Sequence, residues 1–364
     1  MAMLNQIHFI GYGLIGASLS AAIRKYFPGL KQTGESADDG ADFGVQSGFL
    51  NQNCAFETLI ESQNCLIIIA TPMLTIPKIF ERISKSDFKG WITDVGSVKS
   101  GLHLEAEKLG IHYFGGHPMA GSEKQLARSY NPFLFENAVF VLTHKGTEKP
   151  DILNEYQRIL ETIGALPLDL EPALHDEIAA TISHLPQLLA VALVDFVREN
   201  NQNHPAFLQL AAGGFRDMTR IASSPSGIWK DILTSNRTFV SQKIREFIRL
   251  LSNLATELEN ETELNEVLTR FKRSKETRDS IPRNTKGFIS PLFDLLVFVE
   301  DQPGVIYNLS KLLFEKGINI RDIELLKVRE GLQGAFRISF LSEKEWKEAN
   351  TILNQNRFQS QFMV

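Results

Sequence analysis

Residues 6–23 read QIHFIGYGLIGASLSAAI, and how this stretch is parsed decides the fold. QIHFI is a short apolar run with strand character, GYGLIG follows it, and ASLSAAIRKYF continues at helical spacing until PGL at 28–30. A G-x-G-x-x-G turn between strand and helix uses each glycine differently. Gly11 permits the tight turn, Gly13 lets a pyrophosphate approach the backbone, and Gly16 lets helix and strand pack closely. The first helical residues, Leu14 and Ile15, add unpaired N–H groups and partial positive charge for the phosphates. In this setting the motif predicts a dinucleotide site, with a mere packing turn as the alternative.

The same strand–turn–helix plan repeats downstream. CLIIIATP (65–72) is a continuous apolar run stopped by proline, the mark of a strand buried on both faces. GWITDVGSVKSGLHLEAEKLG (90–110) and NAVFVLTHK (137–145) supply further strands. Residues 1–170 therefore predict an α/β domain with a doubly wound, Rossmann-type parallel sheet. From 171 to 282 the periodicity is helical throughout, with Pro186 a predicted kink and no strand between about 173 and 280. Long striped helices without a sheet must pack on each other or on a second subunit, which predicts a homodimer. After IPRNTKG (281–287), residues 287–364 alternate as βαββαβ, the ferredoxin-like plan.

Composition narrows the partners. A 364-residue chain that is 43% hydrophobic has room for real cores in two or three domains. Its formal net charge of −5 gives no bulk attraction for nucleic acid. Two cysteines and scattered histidines offer neither a disulfide framework nor metal-ligand spacing, so no metal is expected. No basic segment precedes an apolar leader, and the apolar runs are short for a bilayer, so a cytoplasmic protein without a membrane partner is expected.

In a doubly wound sheet the ligand lies beyond the carboxyl ends of the strands. Thr71 and Pro72 end one strand, and Asp94, Ser97 and Lys99 follow the next, so these residues are candidates for the nicotinamide and the substrate. Ser97 could equally be a helix N-cap. The ribose-reading acid is expected near Glu35 and Ser36; Asp38 and Asp39 follow, no arginine stands there for a 2′-phosphate, and NAD is favoured over NADP. His117, in GGHPMAGSE (115–123) beyond a third strand read at IHYFGG, either ties a turn or serves as a general base, since imidazole titrates near neutrality. His184, beside the Pro186 bend, is a site residue or a satisfied core histidine. Arg216 and Arg220 stand at i, i+4, which suits a dicarboxylate or a solvated face.

Taken together, GYGLIG, ATP, DVGSVK, GGHPMAGSE, SHLP and FRDMTRIASSPSGIW resemble the prephenate/arogenate dehydrogenase family of tyrosine biosynthesis over about residues 5–280. DQPGV (301–305) and GINI (317–320) resemble the turn and strand start of an ACT domain. The resemblance implies NAD-dependent oxidative decarboxylation of prephenate. In it His117 would accept the C4 hydroxyl proton, Ser97 would hydrogen-bond that hydroxyl or the nicotinamide and orient His117, and Arg220, Arg216 and His184 would hold the substrate. It implies also that Glu123 joins a polar network at the entrance and that Trp229 packs behind the arginine helix. L-Tyrosine is the implied effector, near Asp301, Pro303, Gly304, Asn319 and Ile320 at an interface between two such domains. Gln187 stands where many relatives carry a second histidine, which bears on substrate-side contacts. Arogenate as substrate, a non-catalytic NAD and amino-acid sensor, and a generic hydroxyacid dehydrogenase are the competing readings; the last would use a helical-domain lysine as base, and nothing casts Lys230 in that role against His117.

Overall fold

Strand β1 (Gln6–Ile10) and the central β4 (Cys65–Ile69) are buried at every position. Along β4, Leu66 and Ile68 enter one apolar cluster and Ile67 and Ile69 the other, so both faces of the sheet are covered. That is why these strands read as unbroken apolar runs rather than alternating ones. β2 (Lys31–Glu35), β3 (Gln52–Asn53) and β5 (Trp91–Asp94) complete a five-stranded parallel sheet in the order β3-β2-β1-β4-β5. Helices α1 (Leu14–Tyr26), α2 (Gly40–Gln46), α3 (Ile76–Ser84) and α4 (Ser100–Lys108) lie between the strands. The order reverses between β1 and β4, the switch point at which such sheets open a ligand crevice. This computed structural model describes residues 4–59, 64–121, 126–146, 149–204, 206–260, 264–281, 292–300, 302–326 and 334–363.

The sheet is not parallel throughout. β6 (Gly115–Pro118) runs antiparallel to β7 (Val139–Thr143), which pairs in parallel with β8 (Leu166–Leu170) beyond α5 (Asp151–Thr162). A bridge between Ile92 and Tyr113 joins this three-stranded sheet to β5. The strand expected at IHYFGG is thus displaced: pairing starts at Gly115, and His117 lies within the strand, opposite Val141.

The helical part begins with α6 (Pro172–Ala179), whose Glu171 carboxylate accepts from the N–H groups of Ala173 and Leu174. A π-helical turn (Ala180–His184) then leads into α7 (Leu185–Asn203). Pro186 follows this π-helical turn directly, so the regular α-helical hydrogen bonding is interrupted beside the proline at which the sequence predicts a kink. Helices α8 (Ala206–Gln209), α9 (Gly213–Thr219), α10 (Ser226–Ser235), α11 (Arg237–Glu259) and α12 (Leu264–Ser280) follow, with no strand among the described residues. The continuous stretch Pro172–Gln202 is long and apolar enough to cross a bilayer by length and composition, which the run-by-run reading of the sequence overlooked. Its buried His175, Asp176 and His184 are instead bonded to polar groups of its own unit. Phe196, Leu210, Ile248, Leu258 and Phe271 are large apolar side chains left exposed on these helices.

Backbone contacts divide the chain into two compact units, Met1–Lys272 and Arg273–Val364. In the second, β9 (Phe293–Val299), α13 (Val305–Phe314), β10 (Asp322–Leu326), β11 (Gly334–Phe340), α14 (Glu343–Gln355) and β12 (Ser360–Phe362) build an antiparallel sheet in the order β10-β11-β9-β12. This is the ferredoxin-like arrangement the sequence predicts. Leu295, Val297, Leu309, Leu313, Ile338 and Leu353 form its core. Gly304, at φ +87°, turns the chain into α13 in a conformation that favours glycine.

Three buried histidines shape the acid stability of the first unit. Burial pushes His8 down to about 3, and His103 and His184 to about 4. Each is therefore neutral in the folded protein and gains a proton more easily on unfolding. Because these folded values lie below the unfolded one, the stabilisation is complete above about pH 6.5 and is lost progressively as pH falls toward about 4. The melting temperature should fall across that window. A flat profile from pH 6.5 to 4 would contradict it.

Candidate active site

The cofactor end of the site starts at Gly11. Its φ is +88°, and a Cβ there would lie 2.6 Å from Thr71 Cγ2 and 2.8 Å from the Ala70 carbonyl oxygen. A Cβ on Gly16 would lie 2.8 Å from the Gly11 carbonyl oxygen. Gly11 and Gly16 are thus closed to any side chain. Gly13 caps α1 without a side-chain hydrogen bond, so no cap side chain takes up the N–H groups of the first turn. These features suit a pyrophosphate. The Leu14 side chain is buried, so only its backbone is left to such a site.

At the end of β2, Glu35 is half-buried and ion-paired with Arg82, which also grips Glu57. No arginine stands in the stretch 31–40 itself, but Arg82 reaches in from α3, 47 positions along the chain. Its charge is committed to two carboxylates rather than left free for a 2′-phosphate. Ser36 holds the following turn by donating to the Asp38 carbonyl and accepting from the Ala41 N–H. Thr71 Oγ1 lies 2.8 Å from Thr75 Oγ1, and Pro72 is exposed at the crevice rim.

Asp94 was expected to contact the cofactor; the structure places it inside the protein, with no exposed surface. It pairs with the equally buried Lys99 and accepts from the Tyr113 hydroxyl (2.7 Å) and the Gly96 N–H (2.8 Å). A fully buried carboxylate persists as an ion only when so surrounded. The pair also brackets one residue of β6: Asp94 accepts from the Gly116 N–H (3.3 Å) and Lys99 Nζ donates to the Gly116 carbonyl (2.7 Å). Both charges thereby position the strand that carries His117.

Ser97 is half-exposed beside this pair and is not the N-cap of α4. The cap comes from the helical part instead. Asp176 accepts from the backbone N–H of Lys99 through Oδ1 and of Ser100 through Oδ2, each at 2.8 Å. His175 Nδ1 lies 2.8 Å from Asp176 Oδ1, and His175 Nε2 lies 2.9 Å from His117 Nδ1. His175, Asp176 and Asn236 went unnoticed in the sequence, since no spacing ties them to residues 99–117.

Burial, reinforced by the Lys99 ammonium, holds the His117 imidazole well below its ordinary value. For Asp176, burial alone would raise the carboxyl, but hydrogen bonds from His175, Ser100 and Lys99 outweigh it and keep it low. His184 belongs to the same neighbourhood. Its Nδ1 lies 3.2 Å from the Asn236 amide, which also donates to the Asp176 carbonyl, and Trp229 meets its ring edge-on at 6.1 Å. Its low value leaves it neutral, and its Nδ1 accepts from Asn236, so Nε2 carries the proton.

The arginine pair departs from its predicted geometry. α9 ends at Thr219 and Arg220 opens a tighter helical turn, so Arg216 and Arg220 do not share one regular α-helical face; both are exposed. The Gln187 amide donates to the Ile221 carbonyl and anchors this turn to α7. Glu123 and Asp301 lie outside the described residues. In the second unit a cavity of about 440 Å³ is lined by Gly304, Val305, Tyr307, Leu325 and Phe336 among others. Asn319, which is exposed, and Ile320 do not line it.

A glycine turn at the switch point, beside a low-pKa histidine held between a sheet and a helical part, defines an NAD-dependent oxidoreductase. The family profile described as "Prephenate dehydrogenase, nucleotide-binding domain" matches residues 19–167, and that described as "Prephenate dehydrogenase, dimerization domain" matches 171–272. The chain belongs to the prephenate dehydrogenase family. It is 34% identical over 353 residues to the prephenate dehydrogenase of Bacillus subtilis, covering 95% of each chain. It is 30% identical over 359 residues to that of Lactococcus lactis, covering 97% of this chain and 98% of the other. Among solved structures it resembles the prephenate dehydrogenase of A. aeolicus in complex with hydroxyphenyl propionate and NAD+, with a TM-score of 0.69 and 27% identity, covering 76% of this chain and 98% of the other. The arogenate dehydrogenase of Synechocystis is similar, with a TM-score of 0.68 and 27% identity over 75% of this chain and 99% of the other.

Proposed function

We propose that the protein catalyses the NAD-dependent oxidative decarboxylation of prephenate to 4-hydroxyphenylpyruvate, with His117 as proton acceptor. The observation that carries this reading is a neutral imidazole held at the crevice by a buried ion pair on one side and a hydrogen-bonded histidine on the other. Bound at Gly11, Gly13, Gly16 and the first turn of α1, the nicotinamide dinucleotide supplies the hydride acceptor. His117 Nε2 takes the C4 hydroxyl proton as the ring loses CO2 and becomes aromatic. Ser97, half-exposed and not engaged in capping, hydrogen-bonds the same hydroxyl and orients it. The Nε2–H of neutral His184 donates to the substrate from the helical side. Arg220 and Arg216 attract its carboxylates, and the family resemblance assigns Glu123 to a polar network at the entrance. Ser36, Thr71 and Pro72 border the cofactor.

Initial rates of NADH formation with prephenate and arogenate in parallel test the reading. Turnover of prephenate supports it, and turnover of neither would sink it. Arogenate is the second reading, favoured by Gln187, whose amide is spent on the Ile221 carbonyl instead of facing the substrate as a second histidine would. Arg220→Ala should raise KM for prephenate about 10- to 100-fold, the worth of a charge-assisted hydrogen bond, with a smaller effect on kcat. An unchanged KM would remove Arg220 from the substrate site.

By the same reading, residues 1–170 bind the dinucleotide, 171–282 complete the substrate site and dimerise, and 287–364 form an ACT-like regulatory domain. The large apolar side chains exposed on the helical part support the homodimer. A cytoplasmic location fits a biosynthetic dehydrogenase that draws on soluble NAD. L-Tyrosine is the proposed effector, near Asp301, Pro303, Gly304, Asn319 and Ile320; the cavity beside Gly304 favours the α13 end of that set. Deleting 287–364 should leave turnover in place and abolish tyrosine inhibition. Inhibition that survives the deletion would assign tyrosine to the active site.

A further inference from the structure

Behind His117 lies a line of hydrogen bonds that the proposed reaction does not itself require. His117 Nδ1, His175 and Asp176 follow one another at 2.9 Å and 2.8 Å, and the line ends on the first N–H groups of α4. His175 and Asp176 are almost completely buried. Both Asp176 oxygens already accept a backbone N–H, which marks the carboxylate as ionised. An ionised carboxylate 2.8 Å from His175 Nδ1 requires that nitrogen to carry a proton.

Taking that reaction as the starting point, we propose that His175 and Asp176 are positioning residues that fix the tautomer of His117. With its proton held on Nδ1 by Asp176, His175 presents the lone pair of Nε2. The proton between the two rings then belongs to His117 Nδ1, so His117 Nε2 stays bare for the substrate hydroxyl. When Nε2 gains the substrate proton, the Nδ1 proton can pass to His175 Nε2. One proton enters and one moves on, and the positive charge settles beside the Asp176 carboxylate. The other groups facing His117 oppose a cation there: Lys99 is an ammonium, and His184 is neutral and cannot accept through Nδ1, which Asn236 occupies. Asp94 is already neutralised by Lys99. The logic is that of the serine-protease triad, where a buried aspartate holds the imidazole in the productive tautomer, here with a second imidazole between the two.

The test reads the tautomer directly, by 15N NMR of the full-length protein labelled at histidine, with His117→Asn to assign the signals. A protonated Nδ1 and bare Nε2 on His117 are expected in the parent protein; a protonated Nε2 would overturn the proposal. His175→Leu should randomise the tautomer and lower kcat about 10²-fold. His175→Gln, whose amide oxygen can accept from Nδ1–H, should restore the tautomer and most of kcat. A His175→Leu protein with the parent's kcat and tautomer would overturn the proposal, as would equal losses in both variants with the tautomer intact. If the parent turns over neither prephenate nor arogenate but shows the Nδ1 tautomer, the reaction assignment fails and the positioning pair stands.

Discussion

His117→Asn should lower kcat by about 10²- to 10⁴-fold, the range that a positioned general base contributes. The asparagine amide can still bond to His175, so the strand and the crevice keep their shape, and the dissociation constant for NAD+ should not move. The pH profile gives a second reading. Imidazole serves as a base only when unprotonated, and burial holds His117 well below its ordinary value. In the parent enzyme kcat/KM should therefore stay level as pH falls below 6.5 and drop only through that lowered value. In the variant this acid limb should vanish. Near-parental turnover in His117→Asn would end its role as proton acceptor, whatever the profile.

Lys99→Met should be the most destabilising single change in the first unit. It removes the only cation paired with a carboxylate that has no exposed surface. Breaking a buried pair by taking one partner costs about 3–5 kcal/mol, because the other charge is left in a medium that solvates it poorly. Asp94 keeps its bonds from Tyr113, Gly96 and Gly116, which limits the loss. The double variant Asp94→Asn/Lys99→Met should regain much of it, since no uncompensated charge remains. Denaturant unfolding of both proteins checks the point. Equal stability of the parent and the single variant would mean that the pair is not needed to hold β6. Turnover should fall in the single variant as well, because Gly116, next to His117, loses one of its two anchors.

Much of this architecture is legible in the chain because it is local. A buried parallel strand must be apolar on both faces, a dinucleotide turn needs glycines at fixed offsets, and a striped helix must pack. Those constraints act within about twenty residues and leave marks that can be counted. Where contacts join distant segments, the marks disappear. Nothing about Arg82 announces that it will meet Glu35, and nothing about Asp176 announces that it will cap α4. Ser97 stood in the obvious place for an N-cap and lost that role to a residue 79 positions away. Asp94 looked like a crevice residue because it ends a strand; Lys99 and Tyr113 close over it. The antiparallel β6 was missed for a related reason: GGHP carries no alternation that would reveal a strand, and only pairing with β7 makes it one.

The Asp176 cap has a mechanical consequence. In the chain, the nucleotide-binding part ends near residue 170 and the helical part begins. In the fold, the first turns of α6 are fastened to α4 through the Lys99 and Ser100 N–H groups and to His117 through His175. Asn236 ties the start of α11 to the same knot through the Asp176 carbonyl. Any breathing of the crevice that admits substrate and releases product must move around this knot, because opening it would uncap a helix and free the base at the moment of binding. In space, then, the seam between the two parts is tied down at the point where the sequence passes from one to the other.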